Sequence, residues 1–554
     1  MDTSSKNSFY RIAGFFKPYK VKVFFAALAL FATAASILLY GRIAKIFIDQ
    51  GISLDDNYRI NLFFLSFVLL TILLAISGYV RSYLINNISL NIVNDLRKRI
   101  FTNSLRFPVV YFDNNGYTDI LSRINSDVNE LFNVFTKNVT FFLRNAILFC
   151  GGFVFLWISS FKLFLVMFAA ILIAFVPIFL LAKKMKISSK NTKELNAKSS
   201  SFMEESFSFI KIIKSLGAEG KSGADFTAMS DNLLNEERVK IKLQSVIVSI
   251  SIFFAFFAVA LILYFGALDV VSGKITAGDL SAFIFYAVIL SIALVGLMQS
   301  TVQILSVNQS AKRIFSLLDE KCEDFSVGEN VVFEDDLGGE NIIEFRDVSF
   351  SYAKNSEQKV LDGFNLKIKR GDKLLIRGDS GSGKSSIFSL LLRFYDVSGG
   401  EILVNGRSIK DCNLNSLRTL FSYVMQDSFI FSGSLLDNIA YHNSKINKSQ
   451  IVEIISSCAA FDFIKDLPGG VDSDVGNVGA KLSGGQKQRI SILRAILNDS
   501  QILIFDEAVS ALDENNEKLM IDLIERYAKN KTLIFVSHKP NIAIEFNEII
   551  DLNR

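Results

Sequence analysis

The stretch Leu482-Ser483-Gly484-Gly485-Gln486, set within residues 480–489, decides how this chain is read. A serine followed by two glycines lets backbone N–H groups approach a phosphate closely, and a helix opening there adds the positive end of its dipole. Ser-Gly-Gly turns are ordinary loop chemistry, so the five residues take their meaning from their flanks. Upstream, Gly378-Asp379-Ser380-Gly381-Ser382-Gly383-Lys384-Ser385 fits the phosphate-loop pattern G-x-x-x-x-G-K-[ST]. Downstream, Ile502-Leu503-Ile504-Phe505 reads as a buried strand that ends in the acidic pair Asp506-Glu507.

Working outward, composition sets the next bounds. A chain of 554 residues has room for two or more domains. Half its residues are hydrophobic, 52 are Phe, and the mean hydropathy is +0.36, which exceeds an ordinary soluble protein and implies a membrane part. A net charge of +4 is too small to argue for nucleic acid. The four cysteines (150, 322, 412 and 458) show no ligand spacing, so neither a disulfide framework nor a zinc site is expected. Only two histidines occur, His442 and His538, which excludes a histidine-based metal cluster.

After a basic segment, 1–22, six charge-free runs follow at 23–41, 60–80, 145–161, 163–182, 243–268 and 280–311. About 20 apolar residues cross a bilayer as a helix, and all six runs approach or exceed that length. The third is short and must borrow from its flanks, and a tight turn is expected at 159–162. The N-terminus and the segments 81–137 and 183–242 are rich in Lys and Arg, whereas the alternate loops are short or nearly balanced. That asymmetry puts both termini in the cytoplasm. The two basic segments carry apolar residues at helical spacing, with reversals expected at Pro108 to Gly116 and at 206–217. Residues 319–341 hold nine acids and one lysine and read as a solvated linker. From 342 onward strands alternate with helices, the pattern of a parallel α/β domain. The expected boundaries are therefore 1–22, 23–318, 319–341 and 342–554.

These motifs, in this order, resemble the nucleotide-binding domain of ATP-binding cassette (ABC) transporters, and the LSGGQ sequence separates that family from other phosphate-loop ATPases. The implied fold is an α-helical six-span transmembrane domain of ABC exporter type fused to a C-terminal α/β phosphate-loop ATPase domain. Residues 107–127 and 205–219 resemble the two exporter coupling regions. By this resemblance Tyr352 stacks on adenine, and Gly378, Asp379, Ser380, Gly381, Ser382, Gly383, Lys384, Ser385 and Ser386 form the cradle for ATP. Lys384 meets the β- and γ-phosphates as a point charge, and the Ser385 hydroxyl ligates Mg²⁺. Gln426 matches the loop glutamine that links metal and attacking water to the membrane domain. Asp506 holds Mg²⁺, Glu507 is the general base, and His538 contacts the γ-phosphate. A carboxylate at a strand end also suits a helix N-cap, a second role open to Asp506. The family's acidic-basic pair before the signature is replaced here by Asn477 and Val478, with Asp474 kept.

Only one phosphate loop and one signature are present, whereas each ATP site of the family pairs Lys384 of one subunit with Ser483, Gly484, Gly485 and Gln486 of another. The resemblance therefore implies a dimer, a homodimer or a heterodimer, in a bacterial-type inner membrane. The expected activity is ATP-driven export or flipping of an amphipathic or hydrophobic lipid or drug. The alternative is a peptide or protein exporter without a processing domain, since no Cys or His precedes Cys150. For the substrate, Arg144 at the start of the third span and Gln299 and Gln303 on the sixth are candidate cavity residues. A fixed positive charge among Phe-rich walls suits an amphipath with an anionic head.

Overall fold

The computed structural model describes residues 11–12, 14–52, 57–329, 341–352, 359–379, 381–441, 446–498, 500–537 and 544–552. By packing, the chain divides into two compact units. One comprises Met1–Thr102 with Asp119–Asp319, the other Asn103–Thr118 with Glu320–Arg554.

In the first unit, apolar runs become helices that extend well past the hydrophobic stretch. These are α1 (Lys20–Ile46), α2 (Asn57–Ser104), α3 (Val109–Ser122), α4 (Val128–Asn133), α5 (Thr140–Ser159), α6 (Phe161–Ser208), α7 (Ile210–Ser215), α8 (Glu219–Val271) and α9 (Ala277–Leu318). Among the described residues, six helices are long and apolar enough to cross a membrane. The third crosses as one helical stretch, Val109–Ser159, with wide π-type turns at Arg123–Asp127 and Val134–Val139, which supplies the length that the apolar run lacked. The first of these turns carries Asp127, which accepts from Arg313 of α9 at 2.8 and 2.5 Å. The turn between α5 and α6 is a single extended residue, Ser160, whose hydroxyl caps α6 by accepting from Leu163 N. Helix α9 opens on a capping box between Thr276 and Asp279, and Asp49 from the end of α1 accepts from Thr276 Oγ1 at 2.8 Å and Gly278 N at 3.0 Å.

Helices α1, α5 and α9 pack around Tyr286, whose hydroxyl donates to Leu38 O at 2.9 Å. Gly41 lets the ring in, because a Cβ there would lie 2.6 Å from Tyr286 Cζ. Helices α6 and α8 run along each other and meet the remaining helices sparsely.

In the second unit, residues 341–552 form two sheets. An antiparallel sheet has the order β2 (Leu361–Lys369), β1 (Asn341–Phe350), β4 (Gly399–Val404), β5 (Arg407–Ser408). A parallel sheet has the order β6 (Phe421–Val424), β7 (Ile502–Asp506), β8 (Thr532–Val536), β3 (Lys373–Arg377), β9 (Glu548–Asp551). Every residue of β7 and β8 is buried, as expected of strands covered on both faces. The packed helices are α10 (Lys384–Leu391), α11 (Leu414–Thr419), α12 (Leu435–Ile439), α13 (Lys448–Ser457), α14 (Gly484–Leu497) and α15 (Glu514–Tyr527). Loops at the C-terminal ends of β3, β6 and β7 therefore gather at one edge, where ligands of such sheets bind.

The linker expectation needs correction for residues 321–329. Arg418 grips Glu323 with two bonds of 2.7 Å, Arg407 pairs with Glu329 at 2.8 Å, and Glu329 bridges to Cys412. Glu323 is docked on a basic partner far downstream, whereas Glu329 is paired yet stays exposed. Residues 330–340 lie outside the described residues.

Candidate functional site

β3 delivers the chain into the phosphate loop, and α10 begins directly after it. Gly383, the residue before α10, has φ 95°, a conformation that favours glycine. Lys384 is only 7 % exposed, and its ammonium donates to Gly378 O at 2.6 Å and Asp379 O at 2.7 Å. The Ser382 hydroxyl is buried and has no hydrogen-bond partner. Ser386 shares a 2.8 Å hydrogen bond with the hydroxyl of Tyr352, whose ring is 53 % exposed just beyond β1.

The acidic pair sits at the end of β7. Asp506 is 5 % exposed, and its Oδ2 accepts from Ser385 Oγ at 3.3 Å and from Tyr423 OH at 3.0 Å. Burial pushes the Asp506 carboxyl above its ordinary value, against the pull of those two donors. Glu507 has φ 50°, its N–H donates to Val536 O at 3.1 Å, and its side-chain Oε2 accepts from Gln426 Nε2 at 3.0 Å. Gln426 thus meets the base, while Ser385 and Asp506 meet each other. The N-cap role belongs to Asp513, which opens α15 by accepting from Asn516 N at 2.8 Å. Ser380 and His538 lie outside the described residues.

Ser483 and Gln486 form a reciprocal capping box at the start of α14, with Ser483 N donating to Gln486 Oε1 at 2.8 Å. Ser483 and Gly484 are exposed. In the pre-signature loop, Asp474 pairs with Lys481 at 2.7 Å. Ser432 Oγ donates to Asn477 Oδ1 and accepts from Val478 N, both at 3.1 Å, which ties the loop to its own domain.

In the membrane unit, Arg144 of α5 stands 4.9 Å from the centre of the Phe141 ring. The Nε atoms of Arg144 and of Arg81 on α2 are buried without a partner, and so are both polar atoms of Asn145. Gln299 and Gln303 are exposed on α9.

Comparison with known proteins places the whole chain. Residues 21–294 match the ABC transporter transmembrane region, and residues 361–510 match the ABC transporter family. The chain belongs to the ABC transporter family. A Rickettsia bellii protein assigned as an export ATP-binding/permease protein is 33 % identical over 534 residues, covering 96 % of this chain and 91 % of its own. An ATP-dependent lipid A-core flippase of Yersinia pestis is 30 % identical over 557 residues, covering 99 % and 94 %. A bacterial Atm1-family ABC exporter solved with ATP bound has the same fold, with a TM-score of 0.80, 22 % identity, and coverage of 97 % of this chain and 94 % of that one.

As an ABC transporter, this integral membrane protein binds ATP and couples its hydrolysis to transport, and it is a half-transporter of a type that works as a dimer. The residues present fit a polyphosphate, since the buried Ser382 hydroxyl has no partner and the Lys384 ammonium is held within the loop by backbone carbonyls that a phosphate could replace. Among the described residues no group of three His, Cys, Asp or Glu side chains could hold a metal, so a cation at Ser385 and Asp506 depends on phosphate oxygens for further ligands. Three partners of this transporter's sites escaped the sequence. Tyr423, Arg81 and Tyr395 have no catalytic or ligand-binding signal of their own in the sequence. A groove of about 1600 Å³ beside Tyr352 is lined by Tyr395 and by Pro108, Val110 and Asn114 of the first coupling region.

Proposed function

We propose that this transporter is a homodimeric exporter or flippase of the inner membrane, both termini cytoplasmic, whose substrate is an amphipath with an anionic head group. The observation that carries the substrate class is the pair Arg81 and Arg144. Each has a buried Nε without a hydrogen-bond partner, a cost that an anion would relieve. Asn145, fully buried and unpartnered beside Arg144, adds a neutral donor and acceptor. Gln299 and Gln303 extend the same polar surface along α9 as lower-ranking contributors.

When bound, ATP and Mg²⁺ supply the transferable phosphoryl group and the charge that neutralises it. Lys384 and the loop Gly378–Ser386 hold the phosphates, Tyr352 receives the adenine, and Ser385 with Asp506 holds the cation. Glu507 takes the proton of the attacking water, oriented by Gln426, and His538 is assigned to the γ-phosphate. Ser483, Gly484, Gly485 and Gln486 come from the partner, a role supported by the exposure of Ser483 and Gly484. Closure of two such sites turns the cavity outward, and hydrolysis resets it.

ATPase stimulation in proteoliposomes tests the substrate. Arg144→Ala is expected to weaken stimulation by anionic amphipaths about tenfold and to spare neutral and cationic ones. Equal loss for all ligands, or none, would make Arg144 structural and end the anionic reading.

A further inference from the structure

Strand β6 places its side chains alternately. Phe421 is buried in the core beside β3 and α10, and Tyr423, two residues on, points the same way with its ring 5.8 Å from that of Phe388 on α10. Ser422 faces the other side, where it donates to Ser500. The parallel register sets Tyr423 against Ile504 of β7, so the phenol reaches along the sheet edge to Asp506, two residues farther. Its hydroxyl donates to Asp506 Oδ2 at 3.0 Å. Ser385 Oγ donates to that same oxygen at 3.3 Å. One carboxylate oxygen, almost wholly removed from water, is therefore held by two donors from two different elements, one of which is itself the hydroxyl assigned to the cation.

We propose that Tyr423 is a positioning residue for the divalent cation, fixing the rotamer of Asp506 so that Asp506 and Ser385 meet the ion as a preformed pair. The inference rests on Asp506 and Ser385 holding the cation beside ATP. The physical reason is preorganisation. A buried carboxylate with one free torsion must be ordered before it can ligate, and a charge-assisted bond from a residue locked in a strand orders it in advance. The strand supplies the rigidity, because the ring is clamped between Phe388 and the sheet while only the hydroxyl reaches the site. Tyr423 touches neither nucleotide nor water in this role. It acts through Asp506.

The test uses the full-length transporter in lipid nanodiscs and reads binding of a fluorescent ATP analogue, first in EDTA and then across a Mg²⁺ titration. Tyr423→Phe keeps the ring and removes the hydroxyl. The Mg²⁺ concentration for half-maximal enhancement is expected to rise roughly tenfold, with metal-free binding within about twofold of wild type. Steady-state turnover should show the same split, with a raised requirement for Mg²⁺ and a maximal rate that recovers at saturation. An unchanged Mg²⁺ midpoint overturns the proposal. So does a parallel loss of metal-free binding and melting temperature, which would make Tyr423 a packing residue only. Asp506→Asn and Ser385→Ala serve as controls for the underlying site. If neither moves the Mg²⁺ midpoint, the assignment of the cation to those residues fails, and if both move it while Tyr423→Phe does not, the role of Tyr423 alone fails.

Discussion

At the scale of single residues, the glutamate assigned as the base sits on an uncomfortable backbone. Glu507 is held at φ 50°, a left-handed conformation that costs a residue with a Cβ about 1–2 kcal/mol. It persists because the ends of the residue are tied, the N–H to Val536 O and the C=O by Ser510 N, while Gln426 fixes the carboxylate. Glu507→Gln keeps shape and backbone and removes the basic oxygen. Steady-state phosphate release should fall on the order of 10²–10⁴-fold while ATP binding stays intact, and turnover within about threefold of wild type would assign activation of the water to another group. The neighbouring Asp506 behaves oppositely toward stability. Its carboxyl is raised by burial, so the fold favours the protonated form, and stability is lost as pH climbs from the ordinary carboxylate range through the raised value. Asp506→Asn should therefore raise the melting temperature measured in EDTA, narrow the gap to acidic pH, and abolish further stabilisation by Mg²⁺. A lower melting temperature in EDTA would contradict the burial argument. Lys384, Asp506 and Glu507 were legible in the sequence because their chemistry dictates fixed short spacings. Tyr423 was not, because its partner lies 83 positions away and a phenol in an apolar strand looks like core.

At the scale of elements, hydrophobic runs revealed six helices, since apolar length is a local property, but packing partners are not local. The nine acids of 319–341 read as solvent-facing, whereas Glu323 is gripped by Arg418, which lies in α11 at 95 positions' separation. The same holds for the first coupling region. Asp113 reads as an exposed acid at a helix break, yet it accepts a hydrogen bond from Tyr395 OH. Burial and then this carboxylate push the phenol well above its ordinary value, so it stays a donor throughout the physiological range. The Tyr395 ring meets Tyr352 edge-on at 5.0 Å and Phe350 at 5.7 Å, so the residue assigned to adenine and the tip assigned to coupling share one aromatic neighbour. Tyr395→Phe preserves the rings and cuts the bond to Asp113. Basal hydrolysis should hold within about twofold, while stimulation by substrate falls about fivefold or more, as for the loss of a coupling energy of ordinary size. A proportional fall in both would mean that Tyr395 supports the ATP site and carries no coupling.

At the scale of the molecule, one chain holds halves of things. Helices α6 and α8 lean on each other, and at the tip that joins them Phe207, Phe209, Ile212 and Leu216 are exposed on and beside α7, beyond the most apolar part of either helix. The signature presents Ser483 and Gly484 to solvent. A second copy offers an occupant for both. Ser483→Arg would place positive bulk where the partner's phosphate is assigned, but it also removes the N-cap of α14, a loss of about 0.5–2 kcal/mol that confuses the reading. Gly484 gives a cleaner test. A Cβ there meets nothing within 4 Å, and an acid in the first turn of a helix is favourable, so Gly484→Asp should fold, insert and bind ATP at the phosphate loop. Its negative charge would face the partner's γ-phosphate and block ATP-driven closure, seen as loss of crosslinks between the two ATPase domains. The decisive experiment combines it with Lys384→Ala, which spoils the phosphate loop. Each variant alone should trap no nucleotide with vanadate. Coexpressed, mixed dimers pair the intact loop of the first chain with the intact signature of the second, so one working site returns and trapping reappears. If the mixture stays silent while both chains fold and associate, loop and signature must act within one chain, and the dimeric site is wrong.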